Sequence, residues 1–219
     1  MKYLNLLKKL PLFFNLSDDE ILFILKFFNF SEENFDKNNL IFQAGNPITK
    51  IGIIISGELN IIKEDFWGNR NILGKFKSGE IFGEVFALSK GNTPNISVEA
   101  SQNCKILFLD LKDFLINNPK NPFEIYKFLN NVFQISLKKN ILLTQKIEHI
   151  TKKSLKEKII SFLSAEALKN KSNSFDIKYD RQELADYLSV DRSALSRELS
   201  TLKKQKILDY NKNHFTLFK

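Results

Sequence analysis

The chain has very few of the residues that build metal centres and disulfides. Its 219 residues include one cysteine, Cys104, and two histidines, His149 and His214. A single cysteine excludes a disulfide within the chain and an iron–sulfur cluster held by the cysteines of one chain. Two histidines in distant segments are too few for the clustered imidazoles of a metalloenzyme. No paired carboxylates or nucleophile constellation stand out either, so we expect no metal site and no enzyme.

Long apolar segments are also missing. No apolar run reaches the length that crosses a membrane, and residues 1–14 lack the small-residue cleavage site of a signal peptide. Hydrophobic residues make up 43% of the chain and charged residues 26%, which is typical of a soluble globular protein. We therefore expect a cytoplasmic protein with no membrane partner, and its length favours two domains.

The chain is basic, and its positive charge is concentrated towards the C-terminus. The net charge is +8 at pH 7. Residues 151–219 contain 15 Lys and Arg against 9 Asp and Glu, whereas residues 1–150 contain 18 against 16. The C-terminal third therefore carries +6 of the net charge, as expected of a domain that meets phosphate.

The stretch Asp180–Gln205, DRQELADYLSVDRSALSRELSTLKKQ, predicts two helices joined by a three-residue turn. Each helix has an apolar stripe at helical spacing, formed by Leu184, Ala185 and Leu188 in the first and by Leu195, Leu199 and Leu202 in the second. Asp180 with Glu183 gives a capping-box pattern, and Asp191 can cap the second helix. A turn as short as residues 189–191 is typical of a helix-turn-helix unit.

With the leucines facing inward, the outward face of the second helix carries short hydroxyls and guanidinium groups: Arg192, Ser193, Ser196, Arg197 and Ser200. Arginine can bond a guanine edge with two hydrogen bonds, and serine can bond a base edge or a phosphate. A solvated surface helix can present the same mixture. The short turn, the two caps and the leucine stripe favour a helix that reads DNA.

Residues 181–208, RQELADYLSVDRSALSRELSTLKKQKIL, resemble the winged helix-turn-helix of the Crp/Fnr family of bacterial transcription regulators, including its Ser-Arg pair at Ser196-Arg197. By this resemblance Arg197 is expected to read a guanine, while Arg192, Ser193 and Ser196 contact neighbouring bases or phosphates. Ser193 stands where some members carry a Glu that reads cytosine, so the half-site is expected to differ at that base.

One residue of the turn departs from the family pattern. Ser189 stands where helix-turn-helix turns most often carry glycine. If its φ is positive, serine costs about 1 kcal/mol there, which a folded domain tolerates.

Two further residues complete the predicted DNA contacts. Residues 211–213, Asn-Lys-Asn, separate two short apolar segments in a pattern that predicts a hairpin wing. Lys212 at the tip suits a phosphate contact, whereas His214 is interpreted as a wing-strand residue rather than a ligand. Arg181, at the start of the first helix, is also expected to contact DNA.

Residues 35–110 predict a β-rich domain. Short apolar segments alternate with turns containing Gly or Asn, which favours a sandwich or barrel. Ile55–Leu59 and Gly79–Glu84 resemble the β-roll sensor domain of the same family. The resemblance then spans the chain and implies an α+β fold of three parts: a jelly-roll-like, cyclic-nucleotide-binding-like β-roll (double-stranded β-helix, residues 1–118), a dimerisation helix and hinge (119–150), and a winged helix-turn-helix domain (151–219).

Residues 122–150 predict one long helix with two apolar stripes. The stripe expected to pack on the protein's own β-roll comprises Ile125, Phe128, Val132, Ile135 and Leu142. The stripe that fits heptad positions runs from Tyr126 to Ile150. Its predicted dimer contacts are Leu129, Phe133, Ser136, Asn140, Leu143 and Ile147. Asn140 at a core position would fix register and oligomeric state. The alternative is a core helix of a monomer, but twofold DNA sites also favour a homodimer.

The loop that holds the effector in family members is only half matched. By resemblance, Gly83 and Glu84 stand where cyclic-nucleotide-binding members hold the ribose. Where those members place an Arg and a Ser or Thr for the cyclic phosphate, this chain has Pro94 and Asn95. Neither offers a charge, and the nearest cation of the loop is Lys90. We therefore expect that cyclic AMP is not the effector and that Gly83 and Glu84 shape the β-roll turn.

The effector itself stays open, and no cofactor is assigned. Haem or a gas is one class, with His149 or Cys104 as axial ligands. A small organic or anionic metabolite in a Phe-lined cavity is another, and regulation without a ligand is a third. The expected function is a homodimeric, sequence-specific transcription regulator that binds an inverted repeat in double-stranded DNA, with RNA polymerase as a further partner. The alternatives are a β-roll enzyme and an interaction module that does not bind DNA.

Overall fold

The computed structural model describes residues 3–89, 93–112, 114 and 123–218, and the chain divides into two units, Met1–Leu137 and Lys138–Lys219. Residues 90–92, with the loop cation Lys90, and the predicted boundary between residues 118 and 119 lie outside the described part. None of the described helices combines the length and apolar character that a membrane crossing requires.

The N-terminal unit begins with short helices whose ends follow the sequence signals. Helix α1 spans Leu4–Leu7, a 3-10 turn spans Pro11–Phe13, and helix α2 spans Asp18–Phe27. The Ser17 hydroxyl accepts the Glu20 N–H, and the Glu20 carboxylate accepts the Ser17 N–H at 2.7 Å. This capping box satisfies two donors that a helix start otherwise leaves open.

Two antiparallel sheets form the β-roll. In chain order the strands are β1 Ser31–Phe35, β2 Leu40–Phe42, β3 Lys50–Ser56, β4 Glu58–Glu64, β5 Arg70–Lys77, β6 Ile81–Phe82, β7 Ser97–Ala100 and β8 Cys104–Asp110, with helix α3 Glu84–Leu88 after β6. One sheet has the order β1-β8-β3-β6, and the other has the order β2-β7-β4-β5. The predicted α+β fold with an N-terminal β-roll is therefore confirmed.

Strands β3 and β8 are buried on both faces, which explains their nearly continuous apolar sequences. Ile53 and Leu107 pack in a core with buried residues of α1 and α2. Their neighbours Ile54 and Ile106 point the other way and pack with residues of the second sheet. The two-residue period of a strand therefore divides one apolar run between two cores.

Phenylalanine side chains fill the centre of the roll. The ring centroid of Phe82 lies 5.3 Å from that of Phe42, 6.0 Å from that of Phe76 and 6.2 Å from that of Phe108. Gly52 lies close to the same ring. A Cβ added at this position would be only 2.3 Å from a ring carbon of Phe82. The space between the sheets is therefore packed with aromatic side chains.

Helix α4 spans Phe123–Ile150, and the division between the two units falls within it. Ile125, Phe128 and Val132 are buried in the core of the N-terminal unit, and Ile135 packs against it, so most of the predicted β-roll stripe is confirmed. The prediction for Leu142 is wrong, because its side chain is 55% exposed. Among the described residues, that core extends along α4 only to Ile135, which is nearly two helical turns before Leu142.

The C-terminal unit contains the predicted helix-turn-helix and wing. Its further elements are helices α5 Leu155–Asn170, α6 Arg181–Leu188 and α7 Arg192–Lys204, and strands β9 Ser174–Asp176, β10 Leu208–Asn211 and β11 His214–Leu217. The strands form an antiparallel sheet in the order β10-β11-β9. The leucine stripes of α6 and α7 share one core with Phe162 and Phe215.

The first residue of the turn between α6 and α7 has the conformation that disfavours its side chain. Ser189 adopts φ 54° and ψ 55°, in the left-handed region. Its N–H bonds the Asp186 carbonyl at 3.2 Å, and the next N–H, of Val190, bonds the Ala185 carbonyl at 3.0 Å. These bonds close the end of α6, so the backbone keeps a conformation that glycine would adopt more easily.

Ser189→Gly should therefore stabilise the C-terminal unit by about 1 kcal/mol, because it removes the Cβ clash of the left-handed region. Native-state hydrogen exchange of the full chain should show slower exchange of the α6 and α7 core amides. Ser189→Ala is the matched control, since it keeps the Cβ and should give no gain. Equal protection in the two variants would contradict this account of the turn.

Candidate nucleic-acid interface

The orientation of α6 and α7 rests on buried leucines and on capped helix starts. Leu188, Leu195 and Leu199 are fully buried. At the start of α6, the Asp180 carboxylate accepts the Glu183 N–H at 2.8 Å and the Glu183 carboxylate accepts the Asp180 N–H at 2.9 Å. At the start of α7, the Asp191 carboxylate accepts the Ala194 N–H at 2.9 Å. The opposite face of α7 is thereby fixed towards solvent.

That outward face presents the predicted polar residues together. Arg192, Ser193, Arg197 and Ser200 are exposed, and Ser196 is half-buried. Within the described part of the chain, neither arginine forms an ion pair. Each guanidinium group therefore keeps its planar fork of donors for an external acceptor, the geometry that suits a guanine edge or a phosphate.

The serine hydroxyls on this face are bonded locally. Ser193 donates to the Asp191 carboxylate, and Ser200 donates to the Ser196 carbonyl at 3.0 Å. The bond from Ser193, followed by the N–H of Ala194, lowers the pKa of the Asp191 carboxyl below its ordinary value. A hydroxyl that has donated its proton still accepts through its oxygen. The face therefore combines arginine donors with serine acceptors.

Arg181 is held against the wing. Its guanidinium carbon lies 5.1 Å from the ring centroid of Tyr210 and 5.6 Å from that of Phe215. One guanidinium nitrogen, Nη2, donates to the carbonyl of Lys212 at 3.1 Å. Burial against these groups lowers the pKa of Arg181 from its ordinary value. The side chain therefore joins the start of α6 to the wing tip, a role that the sequence did not reveal.

The wing tip presents Lys212 to solvent. Lys212 is exposed and has φ 52°, in the left-handed region, within the turn that joins β10 to β11. His214 bonds Asp176 Oδ1 through Nδ1 at 3.0 Å and Ser174 Oγ through Nε2 at 2.9 Å. Its two ring nitrogens thus tie β11 to β9, as expected of a wing-strand residue. No group of His, Cys, Asp and Glu able to hold a metal ion occurs among the described residues.

The two candidate haem ligands are bonded inside separate units. His149 is buried, its Nδ1 lies 2.8 Å from Ser161 Oγ, and burial lowers its pKa. Cys104 is buried, its thiol donates to the Glu58 carbonyl at 3.1 Å, and burial raises its pKa. Because one residue lies in each unit and each has an internal partner, the haem alternative gains no support.

The four predicted effector residues stand in different local settings. Gly83 has φ 80° and starts α3, and Glu84 is buried. Pro94 is buried and its carbonyl accepts the Gly45 N–H at 2.8 Å. Asn95 is exposed and lines a cavity of about 560 Å³ to which the other three do not contribute. Gly83 and Pro94 therefore have structural roles in the roll.

Two exposed apolar residues next to the predicted dimer stripe were not indicated by the heptad spacing. Leu137 and Ile141 are 41% and 59% exposed; Leu137 lies one turn after Phe133, which is 57% exposed, and Ile141 lies one turn after Leu137. The strict heptad pattern had excluded them, although helical spacing places them next to it. Leu129 is half-buried and packs on the N-terminal core, so the exposed stripe begins at Phe133.

Removing the Arg181 side chain should loosen the wing. Arg181→Ala loses one hydrogen bond and two ring contacts, so we expect about 1 kcal/mol less stability of the β10–β11 hairpin. Hydrogen exchange of the wing amides measures this directly, and their exchange should become faster. Arg192→Ala removes an exposed arginine from the same unit and should leave the wing amides unchanged. Unaltered wing exchange in Arg181→Ala would contradict the positioning role.

Comparison with known proteins agrees with this geometry. The family described as "Cyclic nucleotide-binding domain" matches residues 32–116, and the family described as "Crp-like helix-turn-helix domain" matches residues 157–218. The CRP-like protein Clp of Xanthomonas oryzae pv. oryzae is 24% identical over 176 residues, which covers 77% of this chain and 75% of that protein.

Solved structures show the same fold at low sequence identity. CprK complexed with OCPA has a TM-score of 0.62 and 16% identity, covering 89% of this chain and 91% of that one. The regulator CLP of Xanthomonas campestris has a TM-score of 0.55 and 20% identity, covering 93% of this chain and all of that one. With both family domains present in this order, and a long helix between the β-roll and the helix-turn-helix, the chain belongs to the Crp/Fnr family of transcription regulators.

Proposed function

We propose that this regulator binds double-stranded DNA as a homodimer and reads an inverted repeat. The observation that carries the proposal is the outward face of α7. Two arginines without internal ion pairs among the described residues stand there beside three serines, while the leucines of the same helix are buried. An enzyme or an interaction module that does not bind DNA would leave this basic face without a partner.

The contacts divide into reading and anchoring. Arg197 reads a guanine, and Arg192, Ser193 and Ser196 contact neighbouring bases or phosphates, with Ser200 at the edge of the same face. Lys212 binds a phosphate from the wing tip. Arg181 supports DNA binding indirectly. Its guanidinium group bonds the Lys212 carbonyl and so holds the wing in place. Its remaining donors stay available to a phosphate.

The dimer forms along α4. Phe133, Leu137, Leu143 and Ile147 share one side of the helix and are each at least 41% exposed, which is a large apolar area for a helix face in water. Ser136 and Asn140 lie in the same stripe, and Asn140 sets its register. Two copies of α4 packed in parallel would cover these residues and would relate the two recognition helices by a twofold axis.

The β-roll biases the recognition helices through α4, and its effector is not cyclic AMP. A cyclic phosphate would meet Pro94 and Asn95, which offer no charge, in a roll whose centre is filled by phenylalanines. The regulator CLP of Xanthomonas campestris responds to c-di-GMP, so a cyclic dinucleotide is one effector candidate for this chain. RNA polymerase is the expected protein partner. The regulator is expected to act in the cytoplasm.

Arg197→Ala should cost about 1–3 kcal/mol per half-site and relax the preference at one base pair. Lys212→Ala should weaken binding to all sequences alike and lower the salt slope of the binding constant by about one. Competition among oligonucleotides of a randomised pool, at several salt concentrations, measures both effects. Arg197→Lys keeps the charge and should lose the base preference while keeping the salt slope. An unchanged base preference in Arg197→Ala would refute the assignment of this face.

Leu143→Lys with Ile147→Lys should convert the protein to monomers that bind DNA weakly, because two charges would be buried in the helix pair. Sedimentation gives the mass of the variant. Leu142→Lys with Leu168→Lys is the matched control, since both leucines are exposed and lie outside the stripe. If the first variant stayed dimeric, or if both variants dissociated, α4 would not be the interface.

A further inference from the structure

A cavity of about 560 Å³ lies on the face of the β2-β7-β4-β5 sheet that points away from the phenylalanine core. On β7, Val98 and Ala100 point into that core, so Ser97 and Glu99 point to the cavity. Among the described residues, its lining includes Leu40, Ala44, Ile62, Glu64, Arg70 and Glu99. The proposed function gives this site no role.

The charges of the lining are unbalanced. Arg70 Nη2 donates to Glu99 Oε2 at 2.5 Å, and the Glu99 side chain is only 11% exposed. Glu64 is a second carboxylate in the same wall and also acts on Arg70. Among the described lining residues, one guanidinium group thus stands against two carboxylates, an excess of one negative charge. An anion would be repelled there, and a cation would be attracted.

Glu99 and Ser97 also present hydrogen-bond acceptors to the cavity. Glu99 has further lone pairs beyond the one that Arg70 uses. The Ser97 oxygen accepts the Ala44 N–H at 3.0 Å. A ligand that brings several N–H donors would satisfy this wall.

We propose that the cavity binds a short aliphatic polyamine. Its ammonium groups would bond Glu99 and Glu64, and its methylene chain would lie on Leu40, Ala44 and Ile62, which supply the apolar part of the lining. The net charge of the whole chain is +8, so a polyamine is not drawn to the protein surface in general. Saturable binding would therefore report a specific site.

Calorimetry on the full chain with spermidine and putrescine tests the proposal, with cyclic AMP and glucose as anionic and neutral probes. We expect one amine site per chain and no saturable heat from cyclic AMP or glucose. Glu64→Gln should weaken amine binding about tenfold, and it should fold because Glu64 is exposed. Glu58→Gln, on the same strand but outside the lining, should leave amine binding unchanged.

Arg70→Gln is the most discriminating variant, because it removes the internal cation that competes with the amine for Glu99. Amine binding should become several-fold tighter, whereas any anion site would be lost; thermal melting checks that the variant is folded. No saturable amine binding, a weakening in Arg70→Gln, or binding of glucose or cyclic AMP at this cavity would overturn the proposal. Gel shifts distinguish a failure of the amine site from a failure of the proposed DNA binding, because Glu64→Gln should bind DNA as the unmodified chain does.

Discussion

The burial of six apolar side chains on two short helices determines what the C-terminal unit can do. The stripes of α6 and α7 share one core, and the turn between them has only three residues, so neither helix can rotate without exposing leucine. The polar residues of α7 therefore have one possible direction. Ser189 holds the turn in a left-handed conformation despite its side chain, which shows that the packing outweighs a local cost of about 1 kcal/mol.

Apolar burial also determines the arrangement of the N-terminal unit, but there single strands contribute to two cores. Strands β3 and β8 are apolar on both faces because each separates two cores, one towards the helices and one between the sheets. Phe42, Phe76, Phe82 and Phe108 occupy the second core. The core between the two sheets is therefore built largely from aromatic side chains.

Sequence patterns predicted what local spacing controls. The capping boxes at Ser17 and Asp180, the leucine stripes and the wing hairpin are all encoded within a few residues, and the structure has each of them. Strand β1 escaped prediction because its sequence, SEENF, has little apolar pattern and is ordered by pairing with β8. Strand β6 has only two residues, too few for any period to be visible.

The sequence could not reveal contacts between distant segments. Arg181 and Lys212 are 31 residues apart, and no spacing rule indicates that the first supports the carbonyl of the second. The same is true of Arg70 and Glu99, which belong to different strands and meet across the outer face of a sheet. On α4, the apolar stripe beside the heptad positions identified the residues buried up to Ile135, but it could not show that this core ends before Leu142.

The central claim is that two copies of the α7 face read DNA in a twofold arrangement. Selection of binding sites from a random pool of double-stranded DNA by the full chain tests it most directly. The account predicts an enriched inverted repeat whose half-sites are centred about 10 bp apart, with a guanine contact in each half. Enrichment of a single unpaired half-site, or no enriched sequence at all, would contradict it.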